Sequence, residues 1–269
     1  MADFIRLIAI FTLSLMPVSA SADDSIDVQT AYGGELRFVF LGTEVPKAAV
    51  ILFPGGRGYL NPSSDGNIRK HKKSFLVHNR ADFADHGFLV AVFNPPSGME
   101  DLGRPYRMSE KHGQDIQAIV DALKTRAEVP VWLIGHSRGT FSAANGAIRL
   151  KGAVGGLVLT STVTKSRKKY SIYSTHPNGV MDMDLASVSV PVMIVANKTD
   201  SCASTPALNA EKLAGAFTGA AKAAIKVFDG SEESKSDNCR WGGQHHFGGF
   251  EDDVVDVIAA FIKSNGAKP

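Results

Sequence analysis

The chain has 269 residues, 44% of them apolar, which is enough to bury a sizeable core, and a formal net charge of +2. So near-neutral a balance offers no global field for nucleic acid or an anionic membrane, and the sequence predicts neither as a partner. Two local basic runs, Arg69–Lys73 and Lys165–Lys169, read as solvated loop or helix-start charge.

In chain order, residues 1–22 read first, as a secretory signal peptide. Arg6 lies near the start, an apolar stretch runs from Leu7 to Leu15, and Ala20-Ser21-Ala22 makes a small-residue exit. Thr12 and Ser14 interrupt the run and Pro17 closes it, so it falls short of the roughly 20 apolar residues of a membrane span. Cleavage is expected after Ala22, with Ala20 as the alternative, leaving residues 23–269 as one domain exported to the periplasm or secreted. Removal takes away Asp3 and Arg6, so the net charge is unchanged. Nothing later in the sequence approaches a membrane span.

Gly34–Leu41 alternates polar and apolar residues like a half-exposed strand at an antiparallel edge, and Ala48–Phe53 is a continuous apolar run like a buried strand. Ser74–His86 reads as a helix, Phe88–Phe93 as a strand, and Ser109–Ala127 as a helix with Ile116, Ile119, Val120 and Leu123 on one face. A strand from Val131 and a helix over Thr140–Leu150 follow. Then come strands at Gly156–Leu159, Pro191–Ala196 and Ala224–Phe228, a helix near Pro206–Phe217, and a closing amphipathic helix over Glu251–Lys263. Regular alternation predicts an α/β fold, a mostly parallel twisted sheet with helices on both faces. No repeat or linker divides it, and only Thr162–Val188 is long enough for a small cap.

The motif that carries chemistry is Gly135-His136-Ser137-Arg138-Gly139, a G-x-S-x-G sequence at the end of the apolar run Val131–Ile134. A serine hydroxyl is a poor nucleophile at neutral pH; it has to be lifted out on a sharp turn and given a general base. Glycines on either side allow the strand and the following helix to approach closely around Ser137. The two cysteines, Cys202 and Cys239, form an even count behind a signal peptide and predict a disulfide.

With the strand-to-helix elbow, the alternation and the chain order together, residues 30–265 or so resemble the α/β-hydrolase superfamily. The resemblance implies the order serine, acid, histidine: Ser137 as nucleophile, Asp200 after the strand ending at Ala196 as acid, and His245 as base. Asp182 and Asp184 are rival acids. His245-His246-Phe247-Gly248-Gly249-Phe250-Glu251 resembles an H-G-aromatic-x-G-hydrophobic-E pattern of exported hydrolases, with His246 in the glycine position, so His246 is an alternative base. Pro54-Gly55-Gly56-Arg57-Gly58 stands where related enzymes carry an H-G-x turn, implying an oxyanion hole of the Gly56 and Arg138 N–H groups, with Arg57 as the alternative to Gly56. A Cys202–Cys239 bridge would then join the acid loop to the histidine loop.

The parts imply acyl transfer to water with no metal and no cofactor; His245 and His246 are adjacent and no H-E-x-x-H occurs, so the histidines are not spaced as a zinc set. The expected substrate is a small carboxylic ester, anionic if Arg57, Arg138 or Lys165–Lys169 border the site. A peptidase or amidase, and a non-catalytic binding protein on the same fold, are the competing readings, and the oligomeric state stays open.

Overall fold

The computed structural model describes residues 23–230, 239–240 and 242–266. The expected signal peptide, residues 1–22, lies outside them. Among the described residues no helix is long and apolar enough to cross a membrane.

Eight strands form one sheet: β1 (Asp24–Gln29), β2 (Glu35–Leu41), β3 (Ala48–Phe53), β4 (Phe88–Val92), β5 (Val131–His136), β6 (Gly156–Thr160), β7 (Val192–Asn197) and β8 (Ala223–Phe228). Their spatial order is β1-β2-β4-β3-β5-β6-β7-β8. β1 and β2 pair antiparallel, β2 pairs antiparallel with β4, and every other pairing is parallel. The helices are α1 (Phe75–His78), α2 (Arg80–Asp85), α3 (Arg104–Arg107), α4 (Glu110–Lys124), α5 (Gly139–Leu150), α6 (Ala210–Gly215) and α7 (Glu251–Asn265).

The period of two in the strands divides the core. Ala49, Ile51 and Phe53 of β3 belong to a core on one face that also takes in Ile116, Ile119 and Leu123 of α4, Phe141 of α5 and Leu213 of α6. Ala48, Val50 and Leu52 point the other way, toward Phe75, Phe83, Val254, Ile258 and Ile262 of α1, α2 and α7. Burying each Val, Leu, Ile or Phe side chain among them contributes about 1.5–3 kcal/mol. The helices therefore cover both faces, as the alternation predicts.

Three details differ from the sequence reading. The edge strand is β1, not β2, which is flanked on both sides and half covered. β1 carries only Ile26 and Val28 between polar residues, too short an alternation to stand out. The helix expected over Ser74–His86 is two pieces separated at the buried Asn79, and α1 buries Phe75, Leu76 and Val77 in succession, a pattern with no exposed stripe. The four-residue α3 has no periodicity to announce it. Residues 162–188 hold three short 3-10 turns and no separate lid.

Candidate active site

β5 ends at His136 and α5 begins at Gly139, so Ser137 has to turn the chain through a sharp corner, and its φ is +52°. Its N–H is held by the Thr160 carbonyl at 3.0 Å, while its own carbonyl accepts from the Thr140 N–H and hydroxyl at 3.0 and 2.6 Å. Glycine is required on both sides of the corner. A Cβ on Gly135 would come within 2.6 Å of the Gly139 carbonyl oxygen, and one on Gly139 would collide with the Phe53 carbonyl at the end of β3. This close approach brings the loop after β3 beside the serine, with Gly55 facing the Ser137 Cβ.

Asp200 lies three residues past the end of β7. Its Oδ1 accepts from the Cys202 N–H at 2.9 Å, and its Oδ2 from the Thr205 hydroxyl at 2.8 Å and from His245 Nδ1 at 3.0 Å. With Nδ1–H given to the carboxylate, His245 Nε2 is left bare to accept from Ser137 Oγ at 2.9 Å. A continuous chain of hydrogen bonds thus joins Ser137, His245 and Asp200. The His245 and Asp200 side chains are 2% and 1% exposed, so the chain runs in a desolvated setting where such bonds are strong.

Asp182 and Asp184 lie elsewhere: both are exposed, both border a separate groove beside Met108 and Asn145, and Asp182 accepts from Asn178. His246 accepts from the Phe75 N–H through Nδ1 at 3.2 Å and makes no bond to Ser137. Burial, followed by the neighbouring His245, holds its pKa down at about 3.

Residues that the sequence did not single out hold the histidine loop. Ser161, at the end of β6, donates to the His245 carbonyl at 2.8 Å, and Asn197, the last residue of β7, donates to the Gln244 carbonyl at 2.9 Å. Both sit at strand ends where polar residues cluster, Ser161 between Thr160 and Thr162 and Asn197 before Lys198-Thr199-Asp200, so neither stands out in the sequence. The Cys202–Cys239 disulfide is present, as expected from the cysteine count, and joins the acid loop to the segment before the histidines.

His136, His245 and His246 each offer a ring nitrogen within 4.8 Å of the others, enough in number for a metal ion. The protons argue otherwise. The Thr160 hydroxyl donates to the Gly135 carbonyl, so it accepts the His136 Nδ1–H and leaves His136 Nε2 bare and unpartnered in the interior. Burial, then the two other imidazoles, hold His136 well below the usual histidine pKa, so it is neutral. The Phe75 N–H, however, occupies His246 Nδ1 and leaves the ring proton on Nε2. A three-nitrogen ligand set would need a tautomer that sets two donors, His246 Nδ1–H and Phe75 N–H, against each other.

Above Ser137 opens a cleft of about 520 Å³, bordered by Gly55, Gly56, His71, Lys72, Ser74 and His246 among others. No aliphatic, phenyl or carboxylate side chain borders it among the described residues. The basic run that reaches it is Arg69–Lys73, not Lys165–Lys169. Arg57 and Arg138 are both drawn to Asp101, at 3.9 and 3.1 Å, which offsets their charge beside the cleft. Within the described residues no hydrogen bond uses the Gly56, Arg57 or Arg138 N–H.

Comparison with models of known protein families finds no match, and comparison with curated proteins finds none either. Solved structures do match. An esterase of Pyrococcus furiosus superposes with a TM-score of 0.63 at 14% identity, covering 98% of this chain and 99% of that one. A serine hydrolase from Xanthomonas campestris, described as an α/β enzyme without a lid, gives 0.59 at 14% over 94% of this chain and all of its own. The chain has the α/β-hydrolase fold. An acylaminoacyl peptidase of Pyrococcus horikoshii also matches, at TM-score 0.62 and 12% identity, over 92% of this chain and 42% of that one. At these identities the likeness is one of fold, and what the α/β-hydrolase fold does in this chain has to be argued from the site.

Proposed function

We propose that the protein is a serine hydrolase that cleaves small carboxylic esters. One observation carries the reading: the unbroken line from Ser137 Oγ to His245 at 2.9 Å and on to Asp200 at 3.0 Å, on the floor of an open cleft. His245 takes the serine proton as Oγ attacks the carbonyl, and Asp200 fixes the imidazole tautomer and stabilises the imidazolium. The unpaired Gly56 and Arg138 N–H groups receive the oxyanion, and water releases the acyl group through the same base. The Gly56 assignment is favoured over Arg57 because Gly56 borders the cleft.

Among the described residues the cleft has no apolar wall of the kind a long acyl chain needs, and Lys72 borders it, which favours short acyl groups and an anionic substrate. Residues 1–22 are removed on export, residues 23–269 act as one domain, and the disulfide supports an oxidising compartment. A peptidase on the same machinery is the second reading, favoured by the peptidase among the matching structures.

The test is hydrolysis of chromogenic esters from acetyl to decanoyl, neutral and anionic, beside an aminoacyl anilide, with Ser137→Ala as control. Serine-dependent turnover that falls with chain length supports the proposal. Turnover of the anilide alone turns it toward a peptidase, and silence throughout toward a binding protein.

A further inference from the structure

Arg107 ends α3 and is fully buried, yet no described carboxylate forms an ion pair with it. Its Nη1 donates to the Ser142 hydroxyl on α5 at 2.8 Å; its Nη2 reaches the carbonyl oxygens of Pro54 at 3.2 Å and Gly56 at 3.5 Å, and Nε has no partner. Burial, then nearby Arg138 and Arg104, lowers its pKa to about 9 against the opposing pull of Asp101, so the group stays charged at neutral pH. A buried cation with no counterion among the described residues is costly, and a neutral side chain of similar length would fill the same space at less cost. Its position suggests why a cation is there.

The peptide bond is planar and trans, so holding a carbonyl on one side sends the N–H of the same unit to the other. The Pro54–Gly55 and Gly56–Arg57 units both have their carbonyls on the Arg107 guanidinium. The unit between them has its carbonyl taken by the Gly58 N–H at 3.1 Å, and carries the free Gly56 N–H. Clamped on both flanks and on its own carbonyl, that N–H has one orientation. The same guanidinium grips α5 through Ser142, so the loop after β3 and the elbow helix are held in a fixed relation.

We propose that Arg107 is a positioning residue for the hydrolase reaction: it fixes the Pro54–Gly58 turn that presents the Gly56 N–H to the oxyanion and sets a buried positive charge behind that turn. The inference rests on the function proposed above. Its contribution is made in the transition state, where charge develops on the oxygen, more than in substrate binding.

Arg107→Met and Arg107→Lys separate this from a scaffolding role. For Arg107→Met, kcat falls about tenfold to hundredfold while KM stays within about twofold, and the thermal midpoint is unchanged or raised because an unneutralised charge has been removed. Arg107→Lys keeps the charge and recovers part of kcat. If Arg107→Met does not fold, Arg107→Gln replaces it as the neutral variant. A neutral variant with wild-type kcat overturns the proposal, as does a fall in kcat and thermal midpoint together that lysine does not relieve. Absence of Ser137-dependent turnover in the unsubstituted protein is a different failure: it removes the hydrolase reading, and this inference with it.

Discussion

Replacing Asp200 with Asn changes the hydrogen-bond arithmetic of the site without changing its shape. The carboxylate accepts three bonds, from Cys202 N–H on Oδ1 and from Thr205 and His245 on Oδ2. An amide has one acceptor oxygen and one donor NH2. With its oxygen toward Cys202, its NH2 faces His245, whose Nδ1 must then accept; the ring proton moves to Nε2, faces Ser137, and blocks proton transfer. With the amide flipped, the useful tautomer survives, but NH2 opposes the Cys202 N–H and leaves a buried donor unpaired, at about 1–3 kcal/mol. The blocked arrangement is therefore favoured about fivefold to a hundredfold or more. The lost charge adds to this: at the 3.0 Å separation of Nδ1 and Oδ2, a carboxylate facing an imidazolium is worth up to about 5 kcal/mol at an effective dielectric of about 20. The two contributions span a fall in kcat from about fivefold to about 10⁶, and the expected value is about 10⁴, the size seen for the equivalent change in a serine protease triad. The assay is kcat on a chromogenic acetyl ester, with thermal melting as the check on folding. A folded Asp200→Asn protein that keeps kcat within about tenfold refutes the reasoning.

Gly139→Ala should lower the thermal midpoint by several degrees, because its Cβ meets the backbone of Phe53 and helix α5 must shift at about 1–3 kcal/mol or more; an unchanged melt would deny that contact. Cys202→Ser with Cys239→Ser removes a 37-residue loop closure worth up to about 4 kcal/mol and frees the loop whose N–H orients Asp200, so stability and kcat should both fall. Two free thiols in the non-reduced mass spectrum of the protein would contradict it. His246→Asn keeps an acceptor for the Phe75 N–H and should leave turnover within about tenfold. Because the folded pKa of His246 is about 3, below the ordinary 6.5, the unfolded chain protonates first as pH falls. Stability is full above about 6.5 and is lost toward 3, at up to about 1.4 kcal/mol per pH unit for this residue. The Asn variant should show a shallower acid limb in pH-dependent melting, with other buried histidines of lowered pKa, His136 and His112 among them, carrying part of what remains; identical limbs would mean that His246 is not held neutral.

The parts of the site legible in sequence are those that need a fixed residue type beside a regular element. Ser137 stands between an apolar run and a helix, with two glycines that the backbone approach demands, and Asp200 follows a strand that is apolar at nearly every position. What escaped the reading depends on tertiary contacts. Arg107 looks like one more charge in a short polar segment until burial places it under the Pro54–Gly58 turn. Asp101 is unremarkable until two arginines from different loops converge on it. Of the two basic runs, the sequence reading put Lys165–Lys169 at the site and missed Arg69–Lys73, since charge density is the same in both and only the path of the chain brings Arg69–Lys73 to the cleft.

The histidine loop shows why these unpredicted contacts matter. The ends of β3, β5, β6 and β7 belong to strands paired on both sides and stiffly held, so Gly56, Ser137, Ser161 and Asp200 inherit their placement from buried, paired strands. His245 comes after β8, the opposite edge strand, which leaves Ile225 and Val227 about 40% exposed and pairs only with β7. An edge so thinly covered cannot fix a residue that must sit within hydrogen-bond reach of two others. Three ties supply the missing constraint, and each comes from the central strands or the acid loop: Ser161 to the His245 carbonyl, Asn197 to the Gln244 carbonyl, and Cys202 to Cys239. The disulfide is therefore best understood as a positional device at the site as well as a brace for the fold, which is why its loss should lower kcat beyond what the change in stability alone would produce.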